Sequence, residues 1–220
     1  MLLIARLLRL TASLSRVRYK DGSMWNKREM DHRDICDIFN KHGSDKDRKG
    51  YLQVYNSLFH KICLDSVTVL EIGICSKSIS SLTALSEYFE NAKIIGIASA
   101  DGDLEESSHD SRIETFCCDA SKKDAVVNFI TGMDDVKFDV IIDSGCRRDM
   151  DRINTLRNFY PHLNNGGIYI IEGLEHDSKL RECPSLIGCL CNQDSYFFAG
   201  VRTNMCVIQK HHINSKRMFY

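Results

Sequence analysis

Carboxylic acids stand at the ends of several apolar segments of this chain. The acids in such positions are Glu71, Asp119, Asp143 and Glu172. A carboxylate at the end of a buried strand can hold a polar small molecule or take a proton from it. Gly73 follows the first of these acids by two residues, and a helix that begins soon afterwards would add backbone N–H donors. We therefore expect a small-molecule site organised around residues 67–81.

Five short apolar segments predict the strands that would carry these acids. The predicted strands cover residues 67–72, 93–98, 113–117, 138–142 and 168–171. The helices expected between them cover residues 76–89, 122–130 and 149–163. This alternation is typical of an α/β protein with a doubly wound, mostly parallel sheet. Because the carboxyl ends of parallel strands meet at one edge of such a sheet, we expect the acids to share a cleft.

The C-terminal part of the predicted domain departs from this alternation. Gly166-Gly167 predicts a turn before the fifth strand. Residues 196–201 and 205–209 predict an antiparallel hairpin at the edge of the sheet. The predicted domain therefore covers residues 63–210, and residues 211–220 form a tail.

Two segments precede this domain. Residues 1–20 contain five basic residues and no acidic ones, with leucines on one helical face. An amphipathic basic helix is expected there; we favour packing against a domain, with organelle targeting or membrane contact as the alternative. Residues 21–62 predict cap helices, of which the second has apolar residues at helical spacing. Between these helices, Gly43-Ser44-Asp45-Lys46 is interpreted as a charged, solvated loop.

Composition narrows the classes of function. A net charge of −1 and a pI near 6.7 give no general attraction to nucleic acid. The ten cysteines include no CxxC pair, and several lie in apolar segments, so we expect reduced thiols in a cytoplasmic protein and no zinc. The arginines between Arg147 and Arg157, Arg152 among them, stand beside acids and are interpreted as a solvated helix face.

Four strings occur in an order and at a spacing that resemble one family. They are Gly43-Ser44-Asp45-Lys46, Leu70-Glu71-Ile72-Gly73, residues 138–145 and residues 166–172. Together with the succession of strands and helices, they resemble the class I S-adenosylmethionine-dependent methyltransferases. More narrowly, they are similar to the macrolide deoxysugar O-methyltransferases of the mycinamicin and macrocin type. The resemblance spans roughly residues 35–210.

The resemblance implies roles for the acids. Glu71 and the backbone around Gly73 would hold the amino-acid end of S-adenosylmethionine, and Asp119 would contact its adenine. Asp143 would lie near both the sulfonium and the acceptor, as a donor-binding and catalytic residue. Methyl transfer is an in-line displacement, so the protein must align donor and acceptor and help to remove a proton. The implied partner is a small hydroxylated acceptor such as a sugar; a homo-oligomer is left open.

Several positions depart from the resembled enzymes. Where those have Asp-Asp-Gly-Ser-His and Glu-Asp, this chain has 143–147 as Asp-Ser-Gly-Cys-Arg and Glu172 followed by Gly173. The resemblance implies that the second Asp and the Glu-Asp pair of those enzymes hold a magnesium ion and that the His acts as a base. Of these ligands only Glu172 remains here, so Mg²⁺ is an open expectation. Arg147 stands at the position of the His and cannot act as a base at neutral pH. The resemblance also implies an acid after the second strand that holds the ribose of the donor, and this position falls at Ala98. Two functions stay open: an active O-methyltransferase, which we favour, and a catalytically degenerate binding or regulatory partner.

Overall fold

A computed structural model describes residues 34–74, 79–99, 109–145, 148–174, 178, 180, 187–188, 190–191, 195–199 and 204–211. The predicted helix of residues 1–20, Arg147 and most of the predicted C-terminal tail lie outside these residues. From Ile35 onward, the described elements belong to one compact unit.

The described strands form one seven-stranded sheet. They are β1 (Thr68–Ile72), β2 (Lys93–Ala98), β3 (Ile113–Cys117), β4 (Phe138–Asp143), β5 (Leu163–Ile171), β6 (Ser195–Ala199) and β7 (Met205–Gln209). Their order across the sheet is β3-β2-β1-β4-β5-β7-β6. Strand β7 pairs antiparallel with β5 and β6, and the other neighbouring strands are parallel. The predicted mostly parallel sheet with a C-terminal antiparallel hairpin is confirmed.

Helices cover both faces of this sheet. The described helices are α1 (Ile35–Lys41), α2 (Leu52–Phe59), α3 (Ile79–Tyr88), α4 (Lys123–Thr131) and α5 (Asp149–Phe159). Helices α1 to α3 pack on one face, where Phe59 and Leu85 share a core with Val69. Helices α4 and α5 pack on the other face, where Leu156 shares a core with Leu70. Successive strand residues enter opposite cores, which explains why the strands are continuous apolar runs.

The carboxyl ends of the central strands are level with one another. Ile72 is in register with Ile97 and with Asp143, and Asp143 is in register with Ile171. Residues at the ends of β1 to β5 therefore lie along one edge of the sheet, which we call the carboxyl edge. Open α/β sheets bind their ligands at this edge.

The region between α5 and β5 differs from the prediction. The helix expected to reach residue 163 ends at Phe159, and a 3₁₀ turn follows at Tyr160–His162, because Pro161 has no N–H to continue the helix. The turn predicted at Gly166-Gly167 is wrong. Strand β5 runs through both glycines, and a register shift against β4 forms a bulge there, with Gly166 at φ +83°.

The described cysteines bear on the expectation of reduced thiols. No disulfide bond joins the described cysteines, and the thiols of Cys63, Cys118, Cys191 and Cys206 are buried. Burial, helped by the neighbouring Asp119, raises the pKa of the Cys118 thiol to about 11, so this thiol is inert at neutral pH.

In the described part of the chain, no helix has the length and apolar content that crossing a membrane requires.

Candidate active site

A buried lysine joins two of the acids at the carboxyl edge. The Nζ atom of Lys46 lies 2.9 and 2.8 Å from the two carboxylate oxygens of Glu172, and 3.1 Å from Oε1 of Glu71. The three side chains are at most 5% exposed. We call these residues, together with Tyr55, the lysine cluster. The interpretation of Lys46 as part of a solvated loop is therefore wrong.

The turn after α1 carries Lys46 to this position. Gly43 follows the helix at φ +72°, a conformation that costs other residues free energy. The backbone N–H of Ser44 donates to the carbonyl of Phe39, and that of Tyr51 donates to the carbonyl of Lys46. Burying an ammonium is unfavourable unless carboxylates pair with it. The position of Lys46 and the burial of the two acids consequently depend on each other.

The hydroxyl groups of two tyrosines reach the end of β5. Tyr51 directly precedes α2, and Tyr55 lies within it. Tyr55 donates to Oε1 of Glu172, and its oxygen lies 3.4 Å from Nζ of Lys46. The hydroxyl oxygen of Tyr51 accepts a hydrogen bond of 3.1 Å from the backbone N–H of Gly173. The residues that follow β5 are thus tied to the segment that precedes β1.

The charges of the lysine cluster keep Lys46 protonated. Burial alone would lower the pKa of Lys46, but the carboxylates of Glu172 and Glu71 raise it above its ordinary value. Burial raises the pKa of Glu71, and the ammonium opposes this rise. Burial and the same carboxylates raise the pKa of Tyr55, so its hydroxyl keeps its proton and donates. The cluster contains one basic and two acidic side chains.

Glu71 retains one unused oxygen. Its Oε1 contacts Lys46 and accepts a hydrogen bond of 3.0 Å from the hydroxyl of Ser81 in α3. Its Oε2 is buried and has no hydrogen-bond partner among the described residues. A buried oxygen without a partner costs free energy. A ligand that brings a hydrogen-bond donor to this oxygen would recover that free energy.

The ends of β1 and β4 approach each other at two glycines. Gly73 has φ +88°, and a Cβ added to it would lie 2.0 Å from Cα of Gly145. A Cβ added to Gly145 would lie 3.1 Å from Cα of Gly73. A side chain therefore cannot be placed at Gly73. Between Glu71 and Asp143, the edge consists of the backbones of Gly73 and Gly145 in contact with each other.

Asp143 leaves the sheet on the face opposite to Glu71. Its carboxylate accepts hydrogen bonds of 3.2 Å from the hydroxyl of Tyr169, which belongs to the core under α4 and α5, and of 3.3 Å from the N–H of Gly145. Burial raises the pKa of Asp143 to about 6, although these hydrogen bonds and the charge of Arg152 oppose the rise. This carboxyl is ionised at neutral pH and is a stronger base than an exposed aspartate.

Arg152 in α5 is buried next to this acid. Only 4% of the residue is exposed, and its Nη2 atom donates a hydrogen bond of 2.6 Å to the carbonyl of Gly173. The interpretation of Arg152 as part of a solvated helix face is wrong. Its guanidinium holds the residue after Glu172 in place and brings a fixed positive charge to Asp143.

Asp119 lies further along the carboxyl edge, after β3. Its carboxylate accepts hydrogen bonds of 2.7 Å from the hydroxyl and 3.1 Å from the N–H of Ser121, and it pairs with Lys122 at 3.0 Å. These partners lower the pKa of Asp119. They belong to its own turn, so the structure places Asp119 at the predicted edge but outside the lysine cluster. Ala98, the position of the implied ribose acid, is buried at the end of β2.

The described residues do not fit a divalent metal ion. They include no group of three or more His, Cys, Asp or Glu side chains that could hold one. Both carboxylate oxygens of Glu172 contact Lys46, and Asp143 faces the other side of the sheet. The predicted role of Glu172 as a magnesium ligand would require its release from Lys46.

A surface cavity of about 560 Å³ lies at the opposite edge of the sheet. It is lined by residues 66–68, 90–93 and 112. Its cations are paired, Lys93 with Glu114 and Arg112 with Asp110. The cavity is therefore separate from the edge at which the topology places a ligand.

Lys46, Tyr55 and Arg152 were missed as site residues at the level of sequence. One signal was present: two acids predicted at the ends of buried strands, Glu71 and Glu172, need a cation if their side chains are buried as well. Lys46 stands in one of the four strings that carry the family resemblance, which singles it out from the other lysines. Nothing comparable distinguishes Arg152 from its neighbours.

Comparison with curated proteins gives a sequence similarity to a sugar O-methyltransferase. No model of a protein family matches the chain. The 8-demethyl-8-alpha-L-rhamnosyl tetracenomycin-C 2'-O-methyltransferase of Streptomyces olivaceus is 28% identical over 142 residues, which cover 61% of this chain and 36% of that enzyme. The chain thus spans little more than a third of the length of this relative.

Solved methyltransferase structures share the fold. MycE from the mycinamycin biosynthetic pathway, in complex with Mg and SAH, gives a TM-score of 0.66 at 19% identity and covers 83% of this chain and 56% of MycE. The MycE complex with Mg, SAH and mycinamycin VI gives 0.65, with the same identity and coverage. Human methyltransferase-like protein 13 with SAH gives 0.51 at 13% identity, covering 70% of this chain and 76% of that protein. These comparisons confirm the predicted methyltransferase fold and the resemblance to macrolide sugar O-methyltransferases.

Proposed function

We propose that this chain is an S-adenosylmethionine-dependent O-methyltransferase that acts on a hydroxyl group of a sugar or another small hydroxylated molecule. The observation that carries the proposal is the buried Glu71 at the end of β1, with one carboxylate oxygen unpaired. This acid lies at the ligand-binding edge of a fold that matches SAH-bound MycE. When bound there, the donor supplies an electrophilic methyl group on a sulfonium.

Glu71 and Gly73 bind the amino-acid end of the donor. The unpaired Oε2 of Glu71 accepts a hydrogen bond from the α-ammonium, and the excess of acidic over basic side chains in the lysine cluster favours that positive group. The backbone that follows Glu71 at Gly73 lies at the same end of β1 and approaches the same part of the donor. Asp119, at the same edge after β3, contacts the adenine.

Asp143 is the catalytic residue of this proposal. Its carboxylate takes the proton of the acceptor hydroxyl while the oxygen forms a bond to the methyl carbon and the carbon–sulfur bond breaks. Support comes from its buried position at the carboxyl edge and from its pKa of about 6, which leaves it ionised and basic at neutral pH. Tyr169 and Gly145 hold the carboxylate in a fixed orientation.

The relatives support a sugar as the acceptor. The Streptomyces olivaceus enzyme is named for methylation of a rhamnosyl group, and MycE has been solved with mycinamycin VI. A cytoplasmic location belongs to the same proposal, supported by the finding that no disulfide bond joins the described cysteines. Targeting or membrane contact through residues 1–20 remains the alternative, and a homo-oligomer remains a prediction.

Turnover with a labelled donor tests the proposal. The protein is incubated with methyl-labelled S-adenosylmethionine and a panel of rhamnosides and other 6-deoxyhexosides. We expect label in at least one glycoside, with loss of the label in Asp143→Asn and retention in Asp124→Asn, which changes an exposed acid of α4. Binding of the donor without transfer to any acceptor would contradict the enzyme and favour a binding or regulatory partner.

A further inference from the structure

We propose that Lys46 is the permanent cation of the carboxyl edge and takes the place of a divalent metal ion at Glu172, so that this chain works without Mg²⁺. Activity without Mg²⁺ rests on the proposed methyl transfer at this site. The exclusion of a metal ion by Lys46 does not depend on that function.

Oxygen atoms surround the ammonium of Lys46. They are the two carboxylate oxygens of Glu172 at 2.9 and 2.8 Å, Oε1 of Glu71 at 3.1 Å and the hydroxyl of Tyr55 at 3.4 Å. An ammonium has three protons to donate, and this shell satisfies all of them. A hard metal ion also requires a shell of oxygen ligands. Here the centre of the shell is filled by a side chain of the protein itself.

A divalent ion cannot share Glu172 with this ammonium. Both carboxylate oxygens are within hydrogen-bond distance of Nζ, and Oε1 also accepts from Tyr55. Two cations in contact at a buried site repel each other far more than they would in water. If Lys46 left to admit the ion, its own charge would lose its partners in an apolar interior.

Apart from Oε2 of Glu71, the neighbouring oxygens of the described residues that could complete a metal shell are also engaged. The carbonyl of Gly173 accepts a hydrogen bond from Arg152, a second fixed cation. The hydroxyl of Ser144 lies 3.1 Å from the carbonyl of Ile72, to which it donates. The carboxylate of Asp143 lies on the other face of the sheet. The protein groups at this edge are thus directed towards one another and away from a common point.

MycE has been solved with Mg. The proposal therefore predicts a difference in metal binding between MycE and this chain. Within this chain, removal of Lys46 leaves two buried carboxylates that need a new cation, so a variant without the lysine should gain affinity for a divalent ion.

Binding of Mn²⁺, measured by the electron paramagnetic resonance signal of the free ion without any donor present, tests the proposal. We expect wild type and Glu172→Gln to leave the same amount of Mn²⁺ free. Stoichiometric binding by wild type that both Glu172→Gln and Glu172→Asp lose would overturn the proposal. Because no donor is used, this result does not depend on methyl transfer.

Replacement of the lysine provides the converse measurement. We expect Lys46→Met, or Lys46→Gln if the first variant is insoluble, to bind Mn²⁺ more than tenfold tighter than wild type. Lys49→Met changes an exposed lysine of the same turn and should show no gain. If the soluble Lys46 variant gains no affinity, Lys46 is not what excludes the metal, and the proposal fails. Transfer activity unchanged by a chelator would support the clause about function, and loss of activity would contradict it.

Discussion

The ammonium of Lys46 lies 2.8 Å from a carboxylate oxygen of Glu172, 126 residues further along the chain. The same ammonium reaches Glu71 at the end of β1. The contacts join the turn after α1 to the ends of two strands of the sheet. Because buried charges are tolerated only with their partners, this turn and the carboxyl edge of the sheet are expected to form as one unit.

Removal of Lys46 should destabilise the fold strongly. Lys46→Met leaves Glu71 and Glu172 buried without their counter-ion, a change that typically costs about 3 to 5 kcal/mol. Lys49→Met breaks an exposed pair with Asp45 and should cost at most about 0.5 kcal/mol. Urea unfolding of the two variants measures the difference. Equal free energies of unfolding would show that the lysine cluster does not hold the turn to the sheet.

Gly73 should tolerate alanine much less well than Gly43 does. Both glycines have positive φ, but a Cβ at Gly43 meets no atom within 4 Å, whereas one at Gly73 meets the backbone of Gly145 at 2.0 Å. Gly43→Ala should cost about 1 kcal/mol for the backbone conformation alone. Gly73→Ala should cost at least about 2 kcal/mol more, since the backbone of β1 and β4 must separate. Thermal and urea unfolding of the pair provide the check; similar losses would mean that the contact with Gly145 can relax.

The pH dependence of transfer should report the ionisation of Asp143. Its pKa is raised to about 6, so kcat/KM should rise as the pH increases through about 6, where the carboxyl becomes a base. A raised pKa also means that the folded protein holds this proton more tightly than the unfolded chain. The resulting stability is complete below the ordinary pKa of aspartate and is lost as the pH rises through about 6. Asp143→Asn should remove this component from the pH profile of unfolding, and an identical profile in the variant would refute the assignment.

Arg152 should set the position of that activity profile. Its positive charge lowers the pKa of Asp143, against the larger effect of burial. Arg152→Met should therefore raise the pKa of Asp143 further and move the acidic limb of kcat/KM to higher pH, and Arg152→Lys should restore part of the shift. Arg157→Met, which changes an exposed residue of α5 that contacts Asn154, serves as the control. An acidic limb that stays in place in Arg152→Met would mean that Arg152 acts only by holding Gly173 in position.

Local patterns predicted the sheet well because each buried strand carries its signal in its own residues. The bounds of β2, β3 and β7 match the apolar runs, and Asp143 falls at the predicted edge. The burial of Lys46 could not be predicted in this way, because it depends on Glu172, a partner that is distant in sequence. Asp143 and Glu172 face opposite sides of the sheet because Asp143 is in register with Ile171, and this register between two strands cannot be predicted from the residues of either strand alone.

Calorimetric titration of S-adenosylhomocysteine into the full chain tests the central claim most directly. We expect saturable binding of one molecule, weakened tenfold or more in Glu71→Gln because the carboxylate loses a charge-assisted hydrogen bond to the ligand ammonium. Glu114→Gln, which changes a surface acid paired with Lys93, should bind as wild type does. No heat and no thermal shift at saturating ligand, or equal affinity in Glu71→Gln and wild type, would contradict a methyl-donor site at this edge.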